Sequence, residues 1–121
     1  MITVCKKFSF CYGHKLPGYQ GKCREFHGHN SEVEVEVSGR DEESYTTMVM
    51  DFSKLKGVVN PLLDQLDHKD ITEVFQGRPP TAETICQWMQ LQIRERLPIG
   101  VNLERLRVSE TPDSWAEWRR L

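Results

Sequence analysis

Residues 22–30, KCREFHGHN, place a thiol, a carboxylate and two imidazoles within nine positions. Cys23, His27 and His29 can act as metal ligands, as a nucleophile with its base, or as plain surface polarity. His27 and His29 lie two apart, and on a strand such residues point the same way with Cα atoms about 7 Å apart. If extended structure reaches back to residue 27, both rings can reach one ion. A third imidazole, His14, shares even parity with Phe8, Phe10 and Tyr12. If the first strand persists to residue 14 and pairs antiparallel with the second, its end lies beside the start of its neighbour. His14 then joins His27 and His29. Three neutral imidazoles with an open fourth position form the ligand set of a catalytic zinc ion (Zn2+). Zinc is preferred over iron because the trio has no carboxylate, while copper and nickel stay open.

Three further places carry chemistry. Cys23 lies four residues before His27. A dication or imidazolium close by lowers a thiol's pKa and makes it a usable base or nucleophile. The alternatives are a small loop thiol or a fourth ligand in a closed structural site. Asp67 and His68 are adjacent, and adjacent residues on a helix do not face each other. They form a working pair, relaying a proton to Cys23, only if the chain has turned into a loop; otherwise His68 is a cation placed by a helix C-terminus. Glu110 shares parity with Leu106 and Val108. A carboxylate on the apolar side of a strand end is costly without partners. A ligand with a fork of N–H donors, such as an aminopyrimidine ring, would satisfy it; the alternative is an exposed strand end.

The elements that must position these groups follow from periodicity. ITVCKKFSF puts Ile2, Val4, Phe8 and Phe10 on one side, and SEVEVEVSG alternates strictly, with Val33, Val35 and Val37 inward. A Gly/Pro-containing loop, LPGYQGKCREFHG, joins these two strands. TTMVMDF is a third predicted strand. From Ser53, a plausible N-cap, Leu55, Val58, Val59, Leu62, Leu63 and Leu66 recur at helical spacing, with a kink or break predicted at Pro61. Thr81 is placed to cap a second helix, with Glu83 in its first turn and Ile85, Met89, Ile93 and Leu97 on one face down to Pro98. LERLRVSE is the last predicted strand; DSWAEWRRL receives no assignment. The expected class is α+β, a four-stranded antiparallel sheet with two helices on one face.

The 121 residues suit one domain, 1–121, and 38% hydrophobic with 28% charged residues is a globular composition. A net charge of −2 offers no reason to expect nucleic acid or an anionic membrane as partner. No run approaches the roughly 18 apolar residues of a membrane span, and the first twenty residues do not read as a signal peptide. Four cysteines without a CxxC pair suggest free thiols in a reducing cytoplasm.

FSFCYGHKL, CREFHGH, MVMDFSKLK, LDHKD, PPTAETIC and SETPDSWAEW occur in this order. Together they resemble the 6-pyruvoyl-tetrahydropterin synthase family, over nearly the whole chain from Phe8 to Trp118. The three residues between Cys23 and His27 are most similar to its bacterial branch, the 6-carboxytetrahydropterin synthases of queuosine biosynthesis. The resemblance implies the tunnelling fold, in which two antiparallel hairpins and two helices form a subunit. Subunits assemble around a barrel, usually as a homohexamer of two trimers with active sites at their interfaces. It implies zinc on His14, His27 and His29, Cys23 as catalytic thiol, Asp67 and His68 as the assisting pair, Glu110 as anchor of the pterin ring, and Thr81 in the pterin-binding segment. The implied substrate is 7,8-dihydroneopterin triphosphate, which loses triphosphate and then acetaldehyde to give the 6-carboxy product. Elimination without carbon–carbon cleavage, giving 6-pyruvoyltetrahydropterin, is the nearest alternative; a zinc-stabilised binding protein without catalysis is another. Two departures stand out. Cys11 and Tyr12 occupy places where small residues often precede the histidine, narrowing access to His14. Glu25 accompanies the thiol, and in some relatives a glutamate replaces the cysteine as base.

Overall fold

The structure, a computed structural model, describes residues 1–121. The chain forms β1 (Thr3–His14), β2 (His27–Gly39), α1 (Phe52–Leu63), β3 (Lys69–Asp70), α2 (Ala82–Arg96), β4 (Val101–Thr111) and β5 (Ser114–Arg119). One sheet holds all five strands in the order β3-β1-β2-β4-β5. The four long strands pair antiparallel, and β3 adds two residues parallel to the end of β1. The sheet therefore has five strands rather than four. No helix is long and apolar enough to cross a membrane.

Alternation decides the faces. Phe8, Phe10, Val33, Val35, Val37, Leu106 and Val108 are buried in one core with Leu55, Val59 and Leu62 of α1 and Ile85, Met89 and Ile93 of α2. On the opposite face Arg105 bridges three carboxylates, at 2.8 Å to Glu36, 3.3 Å to Glu117 and 3.4 Å to Glu34. In β4 both Leu103 and Leu106 are buried although three residues apart. The β2–β4 register shifts between Glu36 and Val37, and this bulge restores the inward phase of β4 after Glu104.

Three expectations are corrected. Residues 46–51 form turns, not a strand; adjacent Val49 and Met50 are both buried, which two successive strand positions cannot arrange across one half-buried sheet. Asp51, not Ser53, caps α1 by accepting the Ser53 N–H at 2.7 Å. The helix ends at Leu63, two residues past Pro61, and turns continue to His68 rather than helix; the expected break at the proline falls just after it. The unassigned tail is β5, where Trp118 pairs Leu106 on the core face and Trp115 faces outward under the Arg107 guanidinium, 3.4 Å from the ring centre. Thr81 does cap α2, accepting the Thr84 N–H at 3.1 Å.

Candidate metal centre

β1 persists to His14 and β2 begins at His27, and the register sets His14 opposite His27 and Tyr12 opposite His29. His14 Nε2 lies 2.9 Å from His27 Nε2 and 3.1 Å from His29 Nε2. His14 is fully buried, and the other two are half-buried. The backbone fixes two of the rings from behind. His14 Nδ1–H donates to the Pro80 carbonyl at 2.6 Å, and His27 Nδ1–H donates to the Glu25 carbonyl at 2.7 Å. A neutral imidazole carries one proton, so both Nε2 atoms are bare lone pairs. Two acceptors thus face each other with no proton between them. A cation at the centre resolves this opposition, and backbone carbonyls behind ligating imidazoles are the usual support of a metal site. The donor set fits a metal ion.

Burial holds the His14 and His29 pKa values below the ordinary histidine range; the Pro80 carbonyl opposes this at His14, and Glu110 opposes it at His29. Because these pKa values are lowered by folding, the unfolded chain takes up protons first as the pH falls, and the stability held by the neutral rings is lost as pH drops below about 6.5. The melting temperature of metal-free protein should be flat from pH 8 to about 7 and decline between pH 6.5 and 5. A flat profile across that window would contradict the burial of these rings.

Glu110 joins the trio through a second irregularity. The β4–β5 register shifts between Ser109 and Thr111. Glu110 is the extra residue, and such a bulge re-aims its side chain. Its Oε1 lies 3.5 Å from His29 Nε2 and 3.7 Å from His14 Nε2. Tyr12 packs beside them, its ring centre 5.2 Å from that of His14 and 5.5 Å from that of His29. Burial, then the Glu110 carboxylate, push the Tyr12 phenol up, keeping it neutral.

Asp67 and His68 lie in a loop, as a working pair requires. His68 has a left-handed φ of 59°, and its Nδ1 sits 3.0 Å from Asp67 Oδ1. The pair is tied to β1 at Cys11: the Cys11 N–H donates to Asp67 Oδ1 at 2.9 Å, and the His68 N–H donates to the Cys11 carbonyl at 2.6 Å. The Cys11 N–H, and then His68, hold the Asp67 carboxyl below its usual range. A cleft of about 410 Å³ beside the pair has Cys11, Tyr12, Phe26, His29 and His68 among its walls. The Phe26 ring lies against Gly13, where a Cβ would collide with it.

Cys23 stands apart. It is exposed in a 3-10 turn, Lys22–Arg24, and its carbonyl accepts the Leu16 N–H at 2.9 Å. Its thiol belongs neither to the imidazole trio nor to the Cys11–Asp67–His68 group. Thr81 spends its hydroxyl on the α2 cap. Sequence reasoning missed the two carbonyls that orient the His14 and His27 rings. Pro79 and Pro80 carry the only signal, a stretch without N–H groups whose carbonyls need donors from elsewhere.

The chain matches the 6-pyruvoyl tetrahydropterin synthase family model over residues 3–120 and belongs to that family. It is 44% identical over 112 residues to a provisionally named 6-carboxy-5,6,7,8-tetrahydropterin synthase of Archaeoglobus fulgidus, covering 93% of this chain and 90% of that one. It is 37% identical over 122 residues to the 6-carboxy-5,6,7,8-tetrahydropterin synthase of Synechocystis sp., covering 98% and 93%. Among solved structures, the 6-pyruvoyl tetrahydropterin synthase of Caenorhabditis elegans superposes with a TM-score of 0.83 at 25% identity, covering 99% of this chain and 96% of that one.

Proposed function

We propose that this protein is a 6-carboxy-5,6,7,8-tetrahydropterin synthase, converting 7,8-dihydroneopterin triphosphate and water to 6-carboxytetrahydropterin, acetaldehyde and triphosphate. The observation that carries the reading is the set of facing imidazole nitrogens with the Glu110 carboxylate on the same side. His14, His27 and His29 would hold zinc, an all-nitrogen set with an open side suited to that ion. Zinc bound there supplies a Lewis acid and template for the substrate's side-chain hydroxyls.

Each remaining residue has a task. Glu110 accepts N–H bonds from the pterin ring and so sets which carbon faces the trio. The Cys23 thiolate removes a proton from the side chain. His68, held by Asp67, exchanges that proton. Thr81 sits at the start of α2, in the segment that lines the ring.

Within one chain the Cys23 thiol is outside the Cys11–Asp67–His68 group, so the proposed mechanism draws on copies that complete one another's sites. The sheet supports such assembly. β5 has one neighbour, and β1 is covered on its outer edge only at Tyr12 and Gly13. Unpaired edges are ready to pair with another chain. A homohexamer built as a dimer of trimers is the proposed assembly. Four free cysteines agree with a reducing cytoplasm.

The test is to incubate zinc-loaded protein with dihydroneopterin triphosphate and weigh the products. Acetaldehyde with the 6-carboxy pterin supports the proposal. Triphosphate without acetaldehyde identifies the 6-pyruvoyl product instead. Unconsumed substrate would leave a zinc-stabilised binding protein. Glu110→Ala is expected to raise KM and lower kcat, cutting kcat/KM about 10- to 100-fold, since charged hydrogen bonds to a buried ring contribute about 1.5–3 kcal/mol. Steady-state kinetics unchanged from wild type would remove Glu110 as the anchor.

A further inference from the structure

The Tyr12 hydroxyl, beside the trio, is a buried polar group with no hydrogen-bond partner. Tyr12 is 3% exposed, and its buried Oη finds no hydrogen-bond partner within the protein. The ring cannot turn away. Phe10 stacks on one side at 5.4 Å between ring centres, and the His14 and His29 rings abut it on the others at 5.2 and 5.5 Å. Buried polar groups are nearly always paired, and an orphaned donor is a net loss to stability. A phenylalanine at this position would keep every one of those packing contacts and remove that loss.

We propose that Tyr12 is a positioning residue whose hydroxyl donates a hydrogen bond to an acceptor atom of the bound pterin, beside the imidazole trio and Glu110. The two groups are complementary in kind. Glu110 offers only acceptors and Tyr12 offers a donor, and a pterin presents N–H groups together with carbonyl, ring-nitrogen and side-chain oxygen acceptors. Ligand sites are mostly apolar walls with a few placed polar groups that fix orientation, and a phenol set among Phe10 and two imidazoles has that form. This inference rests on the pterin reading given above.

The test is Tyr12→Phe, with zinc-loaded wild type and variant titrated with neopterin, a non-reactive pterin carrying the same trihydroxypropyl side chain. Three readouts are taken: melting temperature, zinc per chain and the neopterin Kd from fluorescence. The variant should melt at or above wild type, because an orphaned hydroxyl is gone, and should hold the same zinc. Its Kd should rise about tenfold, the loss of one hydrogen bond in a dry site. A merely structural tyrosine predicts no such opposition between stability and binding. Equal Kd values for wild type and variant, within about twofold, overturn the role of Tyr12 and leave the pterin reading intact. Wild type that fails to bind neopterin overturns the pterin reading, and the role of Tyr12 falls with it.

Discussion

Replacing His27 with alanine is expected to strip the metal from the purified protein while leaving the fold in place. Of the three imidazoles, His27 can be removed with least damage. It opens β2, is half-buried, and leans on the Glu25 carbonyl two residues away. His14 is fully buried against Pro80, so its loss would also leave a cavity and an orphaned carbonyl. Zinc in a four-donor site is held by about 10–16 kcal/mol, or about 2.5–4 kcal/mol per donor, so losing one donor should weaken affinity roughly 10²- to 10³-fold. Metal per chain after dialysis against a weak chelator measures this. The metal-free proteins add a second check. In metal-free wild type, the His14 and His27 lone pairs oppose each other at 2.9 Å. Alanine relieves that opposition, so the metal-free variant should melt no lower than metal-free wild type, while metal should raise the melting temperature of wild type alone. If the trio were ordinary core packing, the variant would melt lower with or without metal. Metal content equal to wild type would sink the assignment of His27 as a ligand.

The trio was legible because it depends on the most regular property of the sheet. A period of two, carried through Phe8, Phe10 and Tyr12 to His14, and back from Val33 to His29 and His27, leaves one face for all three rings once β1 and β2 pair antiparallel. Glu110 was found by the same parity, but the reason it reaches the trio was not visible. A bulge beside it turns the carboxylate, and nothing in SETPD marks an extra residue. β5 was hidden for a related reason. SWAEW puts one tryptophan on each face, because Arg107 takes Trp115 outside while the core takes Trp118, so apolar and polar positions do not alternate. TTMVMDF misled in the opposite way. Its apolar cluster fills the core from a turn, where adjacent residues can both point inward. The Asp67–His68 pair was expected only if the chain had left its helix, and the earlier stop after Pro61 supplies the turns that make it so. The loop from residue 15 to 26 has no periodicity at all, so nothing in it could say where the Cys23 thiol would stand.

Cys23→Ala should hold a full complement of zinc and lose about 10²- to 10⁴-fold in kcat, the contribution typical of a positioned base. The structure makes this a clean experiment. The backbone of Cys23 does the local structural work, through the Leu16 N–H to Cys23 carbonyl bond at 2.9 Å, and alanine keeps that bond. The side chain is exposed, so its removal opens no cavity. Melting temperature and metal content should therefore match wild type, and only turnover should fall. The competing structural reading makes the reverse prediction: a thiol that closes a four-ligand site would take zinc with it when removed, and turnover would have no reason to exist. Turnover near the wild-type rate would remove Cys23 from the mechanism and turn attention to Glu25. That carboxylate stands two residues nearer His27, whose Nδ1–H its own carbonyl already accepts. Glu25→Gln preserves that backbone contact, so it separates a carboxylate acting as base from a carbonyl acting as brace. With Cys23 as the base, Glu25→Gln should change kcat by no more than a few-fold; a loss as large as that of Cys23→Ala would assign the proton transfer to both groups.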